Sequence, residues 1–179
     1  VCSSDLYAAY RQAASAVFLA GTQGLKYKKD HYDLAVDLSK AGLTYIDERA
    51  DEIVIGAMTP LWQIKISQAI QNFAGGAISK AISDVADKNI QRYGTLGGVI
   101  SSKAPFSVLL PILLSLHVDV QLQDKGCMSL DDYLHCPPMG ELVTGISIAK
   151  EAVYTAYKAY RKLPVDEPYL VGAVAMRAD

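Results

Sequence analysis

The stretch NIQRYGTLGGVISSKAPFSVLLPILLSL, residues 89–116, sets a glycine-lined turn, Gly94-Thr95-Leu96-Gly97-Gly98, before a strongly apolar run. Glycine lets backbone come close to a ligand, and successive amides bared at such a turn form a concave nest for phosphate oxygens. The apolar residues 106–117, with Pro105 near their start, predict a buried helix behind the turn. A second glycine turn, Ala20-Gly21-Thr22-Gln23-Gly24, follows the short apolar run of residues 16–20. Neither turn matches the Walker lysine pattern or GxGxxG after a strand, so each taken singly is more often an ordinary tight loop.

Outward from the two turns, residues 7–15 suit a helix, residues 16–20 a short strand, and residues 34–38 a second strand after a polar, basic loop. Residues 43–48 alternate and residues 53–58 are continuously apolar, which predicts a hairpin with one largely buried strand. Thr59-Pro60 is a helix start, because Thr can cap free amides and Pro suits the first helical position. Helices are expected over residues 61–72 and 77–87. Strict alternation in residues 118–123 predicts a strand, and Ser129-Leu130-Asp131-Asp132 a capped short helix, while Pro137-Pro138 forbids its continuation. Residues 142–148, 152–160 and 170–176 are three further strands, and the change of character at Glu141 is the expected start of a second domain.

The 179 residues are 51% hydrophobic and 20% charged, as a folded chain with one good core or two small ones would be. Lys and Arg number 17 against 19 acids, with no basic tract, which argues against a nucleic-acid partner. The longest apolar run is interrupted by Pro111 and is too short to span a membrane. Cys2, Cys127 and Cys136 form no CxxC pair and His31, His117 and His135 lack ligand spacing, so the expectation is reduced thiols, a cytoplasmic location and no zinc site. Val1-Cys2-Ser3-Ser4-Asp5-Leu6 reads like an in-frame translation of a sequencing-library adapter and is expected to be non-native. Asp179 follows directly on an apolar strand, so the chain is expected to be cut there.

The order Phe18-Leu19-Ala20-Gly21-Thr22, Val36-Asp37-Leu38-Ser39, Ile53-Val54-Ile55-Gly56-Ala57-Met58-Thr59 and Gly94-Thr95-Leu96-Gly97-Gly98, followed by Ala104-Pro105 and residues 109–116, resembles the FAD-binding subunit of molybdenum hydroxylases. That family includes the flavoprotein parts of xanthine dehydrogenase and carbon monoxide dehydrogenase. Residues 107–111 and 130–137 look closest to a branch named for selenate reductase. The resemblance implies an α+β chain with a two-lobed FAD-binding domain of the PCMH-like type over residues 7–140, its small lobe about 7–55 and its larger lobe about 56–140. Residues 141–179 would begin the family's C-terminal α+β domain.

The resemblance further implies that Ala20, Gly21, Thr22, Gln23 and Gly24 form one phosphate loop for FAD and that Thr95, Leu96, Gly97, Gly98 and Val99 form the other. Val143 and either Arg161 or Lys162 would reach toward the flavin. The implied activity is electron transfer between iron-sulfur centres and NAD(P) or another acceptor, with a molybdopterin-binding large subunit and an iron-sulfur small subunit as partners. Three positions depart from the family pattern: a single glycine, Gly21, precedes Thr22, Val99 stands where Asn is usual, and Val108 replaces an acid. They motivate an alternative, a flavin-free assembly or structural subunit of the same complex. Trp62, the tyrosines from Tyr154 to Tyr160 and His117 read as packing or edge residues. With no catalytic triad or carboxylate pair evident, any chemistry belongs to the cofactor.

Overall fold

A computed structural model describes residues 3–22, 30–85, 88–104, 107–163 and 166–177. The apolar run at residues 53–56 forms β4 (Glu52–Gly56), buried at four successive positions because both of its faces are covered. β3 (Ile46–Glu48) pairs antiparallel on one edge, with Ile46 opposite Ile55, as the hairpin reading predicts. On the other edge lies β7 (Val143–Ala149), then β5 (Val118–Leu122) and β6 (Gly126–Ser129), giving the order β3-β4-β7-β5-β6. β5 alternates buried and half-buried residues as its sequence predicts. β7 lies beyond the boundary expected at Glu141 and is nonetheless hydrogen-bonded on both edges within this sheet.

A smaller lobe contains α1 (Ser3–Gln12) and the parallel pair β1 (Ala16–Leu19) and β2 (Leu34–Asp37). Its own apolar cluster joins Tyr7, Val36, Leu38, Ala41, Leu43 and Leu142, with Leu6 and Phe18 packed against it. The Tyr10 and Phe18 rings stack at 4.0 Å. Ser3 to Leu6, part of the stretch expected to be non-native, form the first turn of α1.

The helices that cover the large sheet are shorter than their sequence predicts. The stretch expected as one helix over residues 61–72 is two, α2 (Leu61–Ile66) and α3 (Gln68–Asn72), because Ser67 is extended at φ −63°, ψ 127°. Thr59 does not cap α2: Pro60 takes the N-cap, and the Thr59 hydroxyl donates to the Tyr45 carbonyl at 2.9 Å and accepts from the Tyr45 amide at 3.1 Å. A 3₁₀ turn (Phe73–Gly76) leads to α4 (Ala77–Ser83), which stops short of the expected end; residues 86–87 lie outside the described residues. α5 (Lys88–Tyr93) ends just before the second glycine turn, whose last three residues begin α6 (Leu96–Ser102).

The buried helix expected over residues 106–117 contracts to α7 (Leu110–Ser115), with Pro111 in its first turn, where a missing amide costs nothing. Pro105 and Phe106 lie outside the described residues. α8 (Leu130–His135) starts as predicted: Ser129 accepts from the Asp132 amide at 3.1 Å and its hydroxyl donates to the Asp132 carboxylate at 2.7 Å.

β8 (Val153–Tyr160) and β9 (Leu170–Arg177) form a separate antiparallel hairpin. Its inner face packs on the helical layer: Tyr157 is buried in the main core, and the Thr155 hydroxyl donates to the Ala74 carbonyl. Tyr154, Tyr160, Leu170, Val174 and Met176 are exposed.

Candidate functional site

The two glycine turns meet. A β-carbon built on Gly21 would lie 1.9 Å from the Tyr93 carbonyl oxygen and 3.1 Å from the Gly94 α-carbon, so only glycine lets the strand β1 exit run so close to the end of α5. Thr22, next in the chain, is exposed and holds φ at 55°, in the left-handed region that side chains rarely adopt. Ala20 is half-buried at the end of β1, and Gln23 and Gly24 lie outside the described residues.

The second turn is stitched into the fold. The Gly94 carbonyl accepts from the Leu61 amide at 3.0 Å, and the Gly94 amide donates to the Ile90 carbonyl at 2.8 Å. Thr95 is buried and caps α6, its hydroxyl oxygen accepting from the Gly98 amide at 3.2 Å. The Leu96 amide donates to the Thr59 carbonyl at 3.1 Å, the Gly97 amide to the Ala57 carbonyl at 2.8 Å and the Val99 amide to the Thr95 carbonyl at 3.0 Å. Gly97 is bare for that close approach, since a β-carbon there would meet the Ala57 β-carbon at 2.7 Å. The amides expected to form an open nest at residues 96–99 are therefore engaged within the protein. Two of their partners, the Ala57 and Thr59 carbonyls on the segment after β4, have no mark in the sequence as acceptors for this turn, while the amides of Gly98 and Val99 bond to Thr95.

This turn presents to the outside the glycine face at Gly98, which is exposed. Val99 is half-buried and packs against the main core. Val108 is likewise buried. Val143 sits in the core on β7, opposite Leu122, and Arg161 and Lys162 follow the end of β8, half-buried and exposed respectively. The fold thus brings Ala20–Thr22 to the second turn, while Val143 serves the sheet.

A pyrophosphate requires surface clear of β-carbons and of negative side chains. Residues 20–22 and 94–99 carry no carboxylate, two of their glycines mark where the turns touch and where the outer face is bare, and Thr22 offers an exposed hydroxyl. In shape and charge this surface leaves room for a diphosphate, with the Thr22 side chain as its exposed donor. Sequence reasoning passed over Tyr93, an exposed ring at the junction of the turns. Among the described residues no cluster of His, Cys, Asp and Glu could hold a metal ion, and no helix is long and apolar enough to cross a membrane.

Residues 2–150 match the family described as the FAD binding domain in molybdopterin dehydrogenase. The Escherichia coli K12 protein YgfM is 28% identical over 168 residues, an alignment that takes in 93% of this chain and 63% of YgfM. This chain therefore spans less than two thirds of that relative's length. A chain of quinoline 2-oxidoreductase from Pseudomonas putida 86 superposes with a TM-score of 0.90 at 18% identity, covering 99% of this chain and 67% of that one. A chain of carbon monoxide dehydrogenase from Hydrogenophaga pseudoflava superposes with a TM-score of 0.88 at 22% identity, with the same coverage. At those identities the likeness is one of fold.

Proposed function

Because this chain belongs to the family of FAD-binding domains of molybdopterin dehydrogenases, we propose that it is the flavin-holding, electron-transferring part of a cytoplasmic molybdenum hydroxylase-type oxidoreductase. Electrons arrive from an iron-sulfur small subunit joined to a molybdopterin-binding large subunit, and leave to NAD(P) or another acceptor. Bound FAD supplies the redox chemistry. The chain's own residues bind and orient: Ala20 to Gly24 on one side of the diphosphate, Thr95 to Val99 on the other. Thr95 keeps the second turn in shape by capping α6, and Gly98 keeps its outer face bare. Arg161 and Lys162 are the basic residues of the proposed flavin end, and Val143 acts there only through the sheet it packs in. In this reading the domain boundary falls near Lys150, after β7, and residues 151–177 belong to the next unit.

The observation that carries the proposal is the seating of Gly21 on Tyr93 and Gly94, which sets two phosphate-loop candidates side by side. The internal pairing of the amides at residues 96–99 favours a second reading, a flavin-free assembly subunit of the same complex. Reconstituting the purified chain with FAD separates the two. Stoichiometric flavin absorbance with altered flavin fluorescence is the expected result, and a protein that stays colourless supports the second reading instead.

A further inference from the structure

Tyr93 ends α5, and its backbone carbonyl is the surface on which Gly21 rests. The residue is 54% exposed, and it directly precedes Gly94 in the chain. Among the described residues the other widely exposed aromatics stand elsewhere: Trp62 on α2, and Tyr154, Tyr160 and Tyr169 on or beside the outer hairpin. Of these described aromatics, Tyr93 is the one whose main chain lies against Gly21 of the first turn while adjoining the second. The Arg92 guanidinium carbon lies 5.9 Å from the centre of the Tyr93 ring, a cation–π distance that sets a positive charge beside the ring. The backbone beneath is tied to α5, because the Gly94 amide donates to the Ile90 carbonyl at 2.8 Å.

An exposed ring beside a diphosphate clasp is a surface for a planar base. In FAD the adenosine is joined directly to the diphosphate, so a clasp on the diphosphate leaves the adenine to find a surface within one nucleoside's reach. We propose that the Tyr93 ring is the platform on which that adenine stacks, a role that rests on the FAD reading above. Tyr93 is a binding residue with no part in the redox step. The phenol hydroxyl is dispensable to it, since a stack needs only the π-face.

The test measures binding of FAD to the full chain by fluorescence, with ADP and inorganic pyrophosphate as competitors, for the unaltered protein, Tyr93→Phe and Tyr93→Ala. ADP carries the adenine and the diphosphate without the flavin, and pyrophosphate carries neither ring. Tyr93→Ala weakens FAD and ADP by about tenfold each, the loss of one base–aromatic stack, and leaves pyrophosphate competition unchanged. Tyr93→Phe binds all three as the unaltered protein does. FAD and ADP affinities unchanged in Tyr93→Ala overturn the adenine platform alone. An equal loss of pyrophosphate overturns it as well, since Tyr93 would then shape the clasp. Failure of the unaltered chain to bind FAD overturns the FAD reading, and the platform with it.

Discussion

The carbonyl oxygen of Tyr93 lies 1.9 Å from where a β-carbon of residue 21 would stand, so any side chain at position 21 would have to move the main chain, and only glycine fits against Tyr93 there. The contact holds the β1 exit against the α5 end, and through Gly94 against α6.

Gly21→Ala forces the turns apart, because the obstructing atom is backbone and cannot swing away as a flexible side chain would. The expected cost is about 2 kcal/mol, in the range of other overpacked sites. Thermal unfolding measures that loss, and FAD titration of the folded fraction shows a weakened affinity alongside it.

Gly98→Glu acts in opposite directions on fold and ligand. Glutamate at the third position of a helix capped by Thr95 completes a capping box and replaces glycine in a helix, together worth about 1 kcal/mol. The same carboxylate sits on the bare outer face of the turn and repels a diphosphate. A higher melting temperature with lower FAD affinity is expected; FAD affinity unchanged in the stabilised variant places the diphosphate elsewhere.

Thr59 is fully buried and bonds both the amide and the carbonyl of Tyr45, the position just before β3. Thr59→Val keeps the shape and strips both partners of their bonds, at a cost of about 1–3 kcal/mol. Denaturant unfolding reads the loss, and Thr59→Ser restores most of it.

Glu151 joins the hairpin to the sheet: its carboxylate accepts from Arg177 at 2.6 Å and lies 3.2 Å from the His117 Nδ1. Hydrogen bonding to Arg177 first, then to His117, holds the Glu151 carboxyl below its ordinary range. A carboxyl depressed in the folded state lends stability above its unfolded pKa, and that contribution is lost as pH falls through the folded value. Melting temperature followed from neutral to acid pH therefore falls less steeply for Glu151→Gln than for the unaltered chain. Identical slopes would show that the three side chains do not couple.

Several elements were legible because their determinants are local. The continuous apolar run of residues 53–56 dictates a strand covered on both faces, and alternation in residues 118–122 dictates one with a drier side. Ser129 and Asp132, three apart, carry their own cap. Thr59-Pro60 misled because Thr59 has two possible partners, the following helix and Tyr45, and the preceding chain claims its hydroxyl. The helix across residues 61–72 looked continuous because nothing in its composition opposes one; the break at Ser67 belongs to how α2 and α3 pack.

By itself the sequence determined that two glycine turns exist, that an apolar core stands behind the second, and that their order matches a flavin-binding family. Glycine content, apolar periodicity and cap spacing are properties of neighbours in the chain. Only the tertiary structure decided that Gly21 rests on Tyr93, that β7 belongs between β4 and β5, and that the amides of residues 96–99 bond inward. Whether an amide is bare depends on which carbonyl the fold sets opposite it, and Ala57 and Thr59 arrive there from the far side of a helical segment.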